Sequence, residues 1–235
     1  MKRINSGVPG LDEILKGGML ENSANLIAGP PGTGKSIFAL QFLLAGADKN
    51  EPVLYISSEE TEKDLREHAE ELGFDLSKYK NTFNVFYVNL ARAELFSLKD
   101  PIALIKKKKI KRIVLDSLTL FKLVYARSEF EFRNGILDFI VSMKELGVTL
   151  VATSEKSLND LDEIIYEPQD FLFGGLILLT KIRHGNSFER VILISKMRGI
   201  DHLLEAFPFT IRKGGMTIFT KQLPFSLMQN AQNKN

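Results

Sequence analysis

The stretch Asn25-Leu26-Ile27-Ala28-Gly29-Pro30-Pro31-Gly32-Thr33-Gly34-Lys35-Ser36 decides the fold. Gly29 through Ser36 satisfies G-x-x-x-x-G-K-[ST], and its setting matters more than the match. The apolar run Asn25 to Ala28 predicts a strand before it, and the periodicity from Lys35 to about Gly46 predicts a helix after it. Glycines at these offsets let successive backbone N–H groups turn inward around phosphate oxygens, and the helix N-terminus adds a favourable dipole. Lys35 is placed to reach the β- and γ-phosphates of a nucleotide, and the Ser36 hydroxyl to ligate Mg²⁺. The candidate nucleotide contacts run on to Ile37.

Short runs rich in Val, Ile, Leu and Phe recur on either side of this unit. Val53 to Ser57, Phe83 to Asn89, Ile113 to Asp116 and Val148 to Thr153 read as strands buried on both faces. Between them, Thr61 with Asp64 and Ser128 with Glu131 mark capped helix starts, and Gly73 and Gly147 mark helix ends. Asp100-Pro101 opens another helix. This alternation predicts an α/β fold with a mostly parallel sheet flanked by helices. After Gly174 the rhythm changes. Leu176 to Ile182 with Phe188 to Met197, and Phe209 to Arg212 with Met216 to Thr220, predict two C-terminal hairpins extending the sheet antiparallel. One domain is expected over residues 1–221, followed by a flexible tail over 222–235.

The 235 residues contain no Cys, which removes disulfides, thiolate metal sites and a cysteine nucleophile together. His68, His184 and His202 lack metal-site spacing. The N-terminus has no apolar secretory segment and no apolar run approaches the ~20 residues of a membrane span, so a cytoplasmic chain is expected. Chemistry falls to carboxylates, hydroxyls, Lys and Arg. Lys111-Arg112-Ile113-Val114-Leu115-Asp116 is a buried strand ending in a carboxylate, which suits Asp116 to hold magnesium beside Ser36. Glu59-Glu60 follows another strand end. One of them either activates the attacking water or the two complement a helix dipole. Thr153 and Ser154 end a further strand, where their hydroxyls either sense the γ-phosphate or merely start a loop.

Taken in order, Ser6-Gly7-Val8-Pro9-Gly10-Leu11-Asp12-Glu13-Ile14-Leu15 with Gly17-Gly18, the phosphate loop, Glu59-Glu60, Leu115-Asp116-Ser117, Lys196-Met197-Arg198-Gly199 with His202, and Phe207-Pro208-Phe209-Thr210-Ile211 resemble the KaiC/RadA branch of the RecA-like P-loop ATPases. The likeness runs from Asn5 to Phe219. It implies Mg²⁺-dependent ATP hydrolysis with Lys35 and the Glu59-Glu60 pair as catalytic groups, one of the two acids activating water. It further implies a homo-oligomeric ring, expected to be hexameric, in which Lys196 and Arg198 reach the neighbouring subunit's nucleotide. Met197 lies between them, and His202 matches a position near the ribose. On the residues alone, Lys196 and Arg198 are equally outward side chains of a strand end.

The charge pattern bears on partners. Segment 154–174 holds Glu155, Asp160, Asp162, Glu163, Glu167 and Asp170 against Lys156 alone, which disfavours DNA there. Lys106 to Arg112 carries six positive charges at a helix end and reads as a solvated face. Segment 175–221 is net +5, a rim available to a partner or a neighbouring subunit. The leading expectation is a KaiC-like ATPase coupling nucleotide state to oligomer or partner binding. The alternatives are a RadA-paralogue accessory factor that binds DNA and a small-molecule kinase using the same loop.

Overall fold

A computed structural model describes residues 1–89, 100–118, 122, 128–158, 161 and 164–225. In chain order the elements are β1 (Arg3–Ile4), α1 (Leu11–Ile14), β2 (Met19–Leu20), β3 (Ala24–Gly29), α2 (Lys35–Ala47), β4 (Val53–Ser57), α3 (Glu62–Glu71), β5 (Phe83–Tyr87), α4 (Asp100–Lys108), β6 (Arg112–Asp116), α5 (Glu129–Glu145), β7 (Thr149–Glu155), β8 (Gly175–His184), β9 (Ser187–Met197), β10 (Phe207–Arg212) and β11 (Gly215–Ile218). The main sheet has the order β11-β10-β9-β8-β3-β7-β6-β4-β5. The expected α/β architecture is present. One detail differs: β8, the first strand of the first hairpin, pairs parallel with β3, so the sheet turns antiparallel only at β9. The β1–β2 pair, which the sequence reading did not anticipate, ties Arg3–Ile4 to Met19–Leu20.

Side chains alternate across the parallel strands, so each buries two faces. Ile27, Val53, Tyr55, Val114 and Val151 join the core under α1, α2 and α3, whereas Leu26, Leu54, Ile56, Ile113 and Leu150 join the core under α4 and α5. α2 is apolar nearly all round because it packs against β4, β6, β7 and β11 at once. α3 begins with the reciprocal Thr61–Asp64 capping box, and the Ser128 hydroxyl accepts from the Glu131 N–H at the start of α5.

Arg112 corrects the reading of the basic run. Lys106 to Lys109 and Lys111 are exposed, but Arg112 is 1% exposed. Adjacent residues of a strand point to opposite faces, and entry into β6 sends Arg112 inward under α2. There its Nε donates to Glu51 at 2.8 Å, Nη1 donates to the carbonyls of Asn5 at 2.7 Å and Phe42 at 3.1 Å, and the guanidinium lies 5.2 Å from the Phe42 ring centroid. Arg112→Ala should cost about 3 kcal/mol, as loss of one partner from a buried ionic network does. Urea unfolding of both proteins checks this, and a change within the scatter of surface substitutions would contradict the structural role. Among the described residues, no helix is long and apolar enough to cross a membrane.

Candidate functional site

The carboxyl ends of β3, β6 and β7, with the residues after β4, converge on one cleft of about 400 Å³. That is where open α/β sheets bind ligands, outside the strand ends where connections leave in opposite directions. Register fixes the neighbours: Gly29 lies opposite Glu155, Ala28 opposite Ser154, and Ser57 opposite Asp116. Pro31, Gly32, Gly34, Lys35, Ser36 and Ile37 line the cleft beside Glu59, Asp116 and Ser117. Gly29, Pro30 and Thr33 are not among the lining residues, and the Thr33 hydroxyl is turned back to donate to the Pro30 carbonyl at 2.8 Å.

Two glycines are fixed by space. A Cβ on Gly29 would stand 2.0 Å from the Leu179 carbonyl oxygen, so only glycine lets β8 pass this close. Gly34 precedes α2 at φ 101°, and a Cβ there would meet Ile211 Cδ1 at 2.6 Å. With no side chain capping it, the α2 N-terminus keeps its first N–H groups for an anion.

Lys35 is buried, and its ammonium donates to the carbonyls of Gly29 at 2.9 Å and Pro30 at 3.1 Å. Burial lowers its pKa, against the opposing pull of Glu155, Asp116 and Glu59. A cation folded onto its own loop amid three carboxylates is what a polyanionic ligand would draw outward, so these residues fit a nucleotide triphosphate. They fit a divalent cation too: Ser36 and Asp116 face the same cleft. Both Asp116 oxygens accept hydroxyl hydrogen bonds, Oδ2 from Tyr55 and Oδ1 from Thr153, which fixes the carboxylate plane while leaving lone pairs free. Burial and Asp116 raise the Tyr55 phenol well above its ordinary value, so it stays a donor.

The paired acids separate. Glu59 lines the cleft, and desolvation, then the Asp116 charge, push its carboxyl up. Glu60 turns away toward α3, where Oε1 meets His68 Nδ1 at 2.9 Å and raises the His68 pKa. Lys196, Met197, Arg198 and His202 are not among the residues lining this chain's own cleft. Lys196 Nζ donates to the Asp170 carbonyl at 2.9 Å, and Arg198 Nη2 to that of Phe171 at 3.4 Å, both on the short 3-10 helix Pro168–Phe171. Met197 is core, with Sδ against Gly175. His202 Nδ1 lies 3.0 Å from the Leu203 carbonyl oxygen.

Three cleft residues escaped the sequence reading: Glu155, Arg190 and Ile211. Glu155 was within reach, one residue beyond Thr153-Ser154 on the same strand. Arg190 and Ile211 sit in strands whose pairing brings them over the loop; Ile211 ends the Phe207-Pro208-Phe209-Thr210-Ile211 motif without being marked there as a site residue, and no local pattern marks Arg190. Two charges of the acidic segment are internal. Asp170 and Lys156 form a buried ion pair at 2.6 Å, each side chain 4% exposed, so both charges leave the surface count. Glu155 faces the cleft, and Asp160, Asp162 and Glu163 lie outside the described residues, as does 226–235 of the expected tail.

Comparison with known proteins agrees with this geometry. The chain is 31% identical to UPF0273 protein MJ1359 of Methanocaldococcus jannaschii, covering 93% of this chain and 97% of that protein. Against the circadian clock oscillator protein KaiC of Prochlorococcus marinus it is 29% identical over 93% of its length but only 46% of the relative's, so it spans about half of such proteins. The crystal structure of KaiC-like protein PH0186 from Pyrococcus horikoshii superposes with a TM-score of 0.81 at 30% identity, over 93% of this chain and 99% of that one. The family model described as ATPase: KaiC matches residues 4–223, and with the P-loop cleft in place the chain belongs to the KaiC-type ATPases of the RecA superfamily.

Proposed function

We propose that the chain binds ATP with Mg²⁺ in this cleft and hydrolyses it, and that nucleotide state governs its association with other subunits or a partner. The observation that carries hydrolysis is the placement of Glu59, a carboxylate of raised pKa, in the same cleft as Lys35, Ser36 and Asp116. Ser36 and Asp116 would hold Mg²⁺, which when bound neutralises charge on the phosphates. The loop amides and Lys35 fix the triphosphate. Glu59 accepts a proton from water as the water oxygen bonds to the terminal phosphorus and the bond to the ADP oxygen breaks. Tyr55 and Thr153 keep Asp116 oriented.

Lys196 and Arg198 belong to the same reading as cations delivered to the next subunit in a ring, since they are absent from their own cleft and held on one rigid edge. The longer relatives are named as circadian clock oscillator proteins. For this chain the proposed role is a single ATPase unit over residues 1–221.

Phosphate release from the full chain, with Mg²⁺ or with chelator, tests the reading. Release should require Mg²⁺ and be insensitive to single-stranded DNA at low and moderate salt. No release would sink it. Stimulation by DNA that collapses as salt rises would favour the DNA-binding accessory factor instead.

A further inference from the structure

Three consecutive carbonyls at the start of the loop are held by two lysines. Lys35 takes those of Gly29 and Pro30, and Lys181 Nζ, from β8, donates to that of Pro31 at 3.2 Å. The same ammonium would lie 3.5 Å from a Cβ on Gly32. Directly across the β8–β9 ladder, Lys181 pairs with Arg190, which lines the cleft and whose Nε is buried with no partner. Two cations opposite each other on antiparallel strands destabilise the pair unless an anion lies between or beside them. Among the described residues neither forms an ion pair with a carboxylate. The two like charges thus stand side by side at the mouth of a site shaped for a polyanion. Lys35 is the group expected to swing to the β- and γ-phosphates, and Lys181 occupies the adjoining carbonyl on the same end of the loop.

We propose that Lys181, backed by Arg190, is a second phosphate-binding cation supplied by the subunit that owns the cleft, and that it reads the terminal phosphate of the nucleotide. This rests on the ATP reading above. It gives one subunit a preference for ATP over ADP before any neighbour contributes Lys196 or Arg198. Lys35 and Lys181 hold the adjoining carbonyls of Pro30 and Pro31, which puts the two ammonium groups within reach of one ligand.

The test is binding of ATP, ADP and inorganic tripolyphosphate, by calorimetry with Mg²⁺, to the full wild-type chain and to Lys181→Gln and Lys181→Arg. Lys181→Gln should weaken ATP and tripolyphosphate about tenfold, which is about 1.4 kcal/mol, and ADP far less. Lys181→Arg should restore the difference. Lys181 is exposed, so folding is not at stake, and an unchanged melting curve confirms that. An ATP-to-ADP ratio unaltered in Lys181→Gln, or equal weakening of both nucleotides, would overturn the proposal while leaving ATP binding intact. A wild-type chain that binds neither nucleotide would overturn the ATP reading and this one with it.

Discussion

Replacing Glu59 with Gln should leave ATP binding nearly unchanged and lower turnover by roughly 10²- to 10⁴-fold, the contribution of a positioned general base. The exchange preserves shape and removes only the basic oxygen. Glu60→Gln should change turnover little, because the Glu60 carboxylate is engaged with His68 on α3 rather than facing the cleft. A sequence with two adjacent acids cannot make this distinction. The structure makes it through chain direction at the end of β4, where one side chain enters the cleft and the next turns to the helix. The pH dependence has a definite sign. A base must be ionised, and Glu59 has its pKa raised by desolvation and by Asp116, so the rate should fall on acidification earlier than an ordinary carboxylate would dictate. Equal damage from both substitutions, or full turnover in Glu59→Gln, would remove Glu59 from the role. Steady-state phosphate release across pH, beside nucleotide affinity, measures all of this.

The parts of this site legible beforehand were those coded locally. Gly29 to Ser36 announces itself because the loop's backbone geometry demands particular residues at particular offsets, and Asp116 because a buried apolar strand that stops at a carboxylate is unusual. The parts not legible depend on which strands become neighbours. Arg190 and Lys181 look like ordinary charged residues of a hairpin until β8 pairs with β3 and draws the hairpin across the loop. Arg112 was hidden by its company. A run of six cations reads as one solvated surface, yet the last enters a strand and points the other way, into contact with Glu51 and Phe42. Lys156 and Asp170 were hidden in another way: two opposite charges read as surface residues of a loop, yet they pair inside the protein. In each case composition was right and position was missing.

Subunits carrying Arg198→Ala, mixed with subunits carrying Lys35→Ala, should hydrolyse ATP although neither does so alone. Each single variant should lose most of its turnover, since a cation delivered to the transferring phosphoryl group is worth roughly 10³- to 10⁵-fold. In a head-to-tail ring, an Arg198→Ala subunit offers an intact cleft, and a Lys35→Ala neighbour offers an intact Arg198. Random mixing of equal amounts makes about one such interface in four, so activity should return to a fraction of wild type of that order. The geometry favours this outcome over a self-contained site. Lys196 and Arg198 are fastened to the carbonyls of Asp170 and Phe171, and Lys196 lies 5.8 Å from the centroid of the Phe171 ring. Phe171 is itself exposed, its ring 6.2 Å from that of the exposed Tyr166, which is the apolar setting a neighbouring surface would cover. The buried Lys156–Asp170 pair then links this edge back to the loop, because the Lys156 N–H donates to the Gly29 carbonyl at 3.2 Å. One subunit's phosphate loop and the cations it would offer the next are thus joined by a short path of direct contacts. Failure of the mixture to recover activity, with light scattering showing a monomer, would mean that each cleft works alone and that Lys196 and Arg198 serve the strand end only.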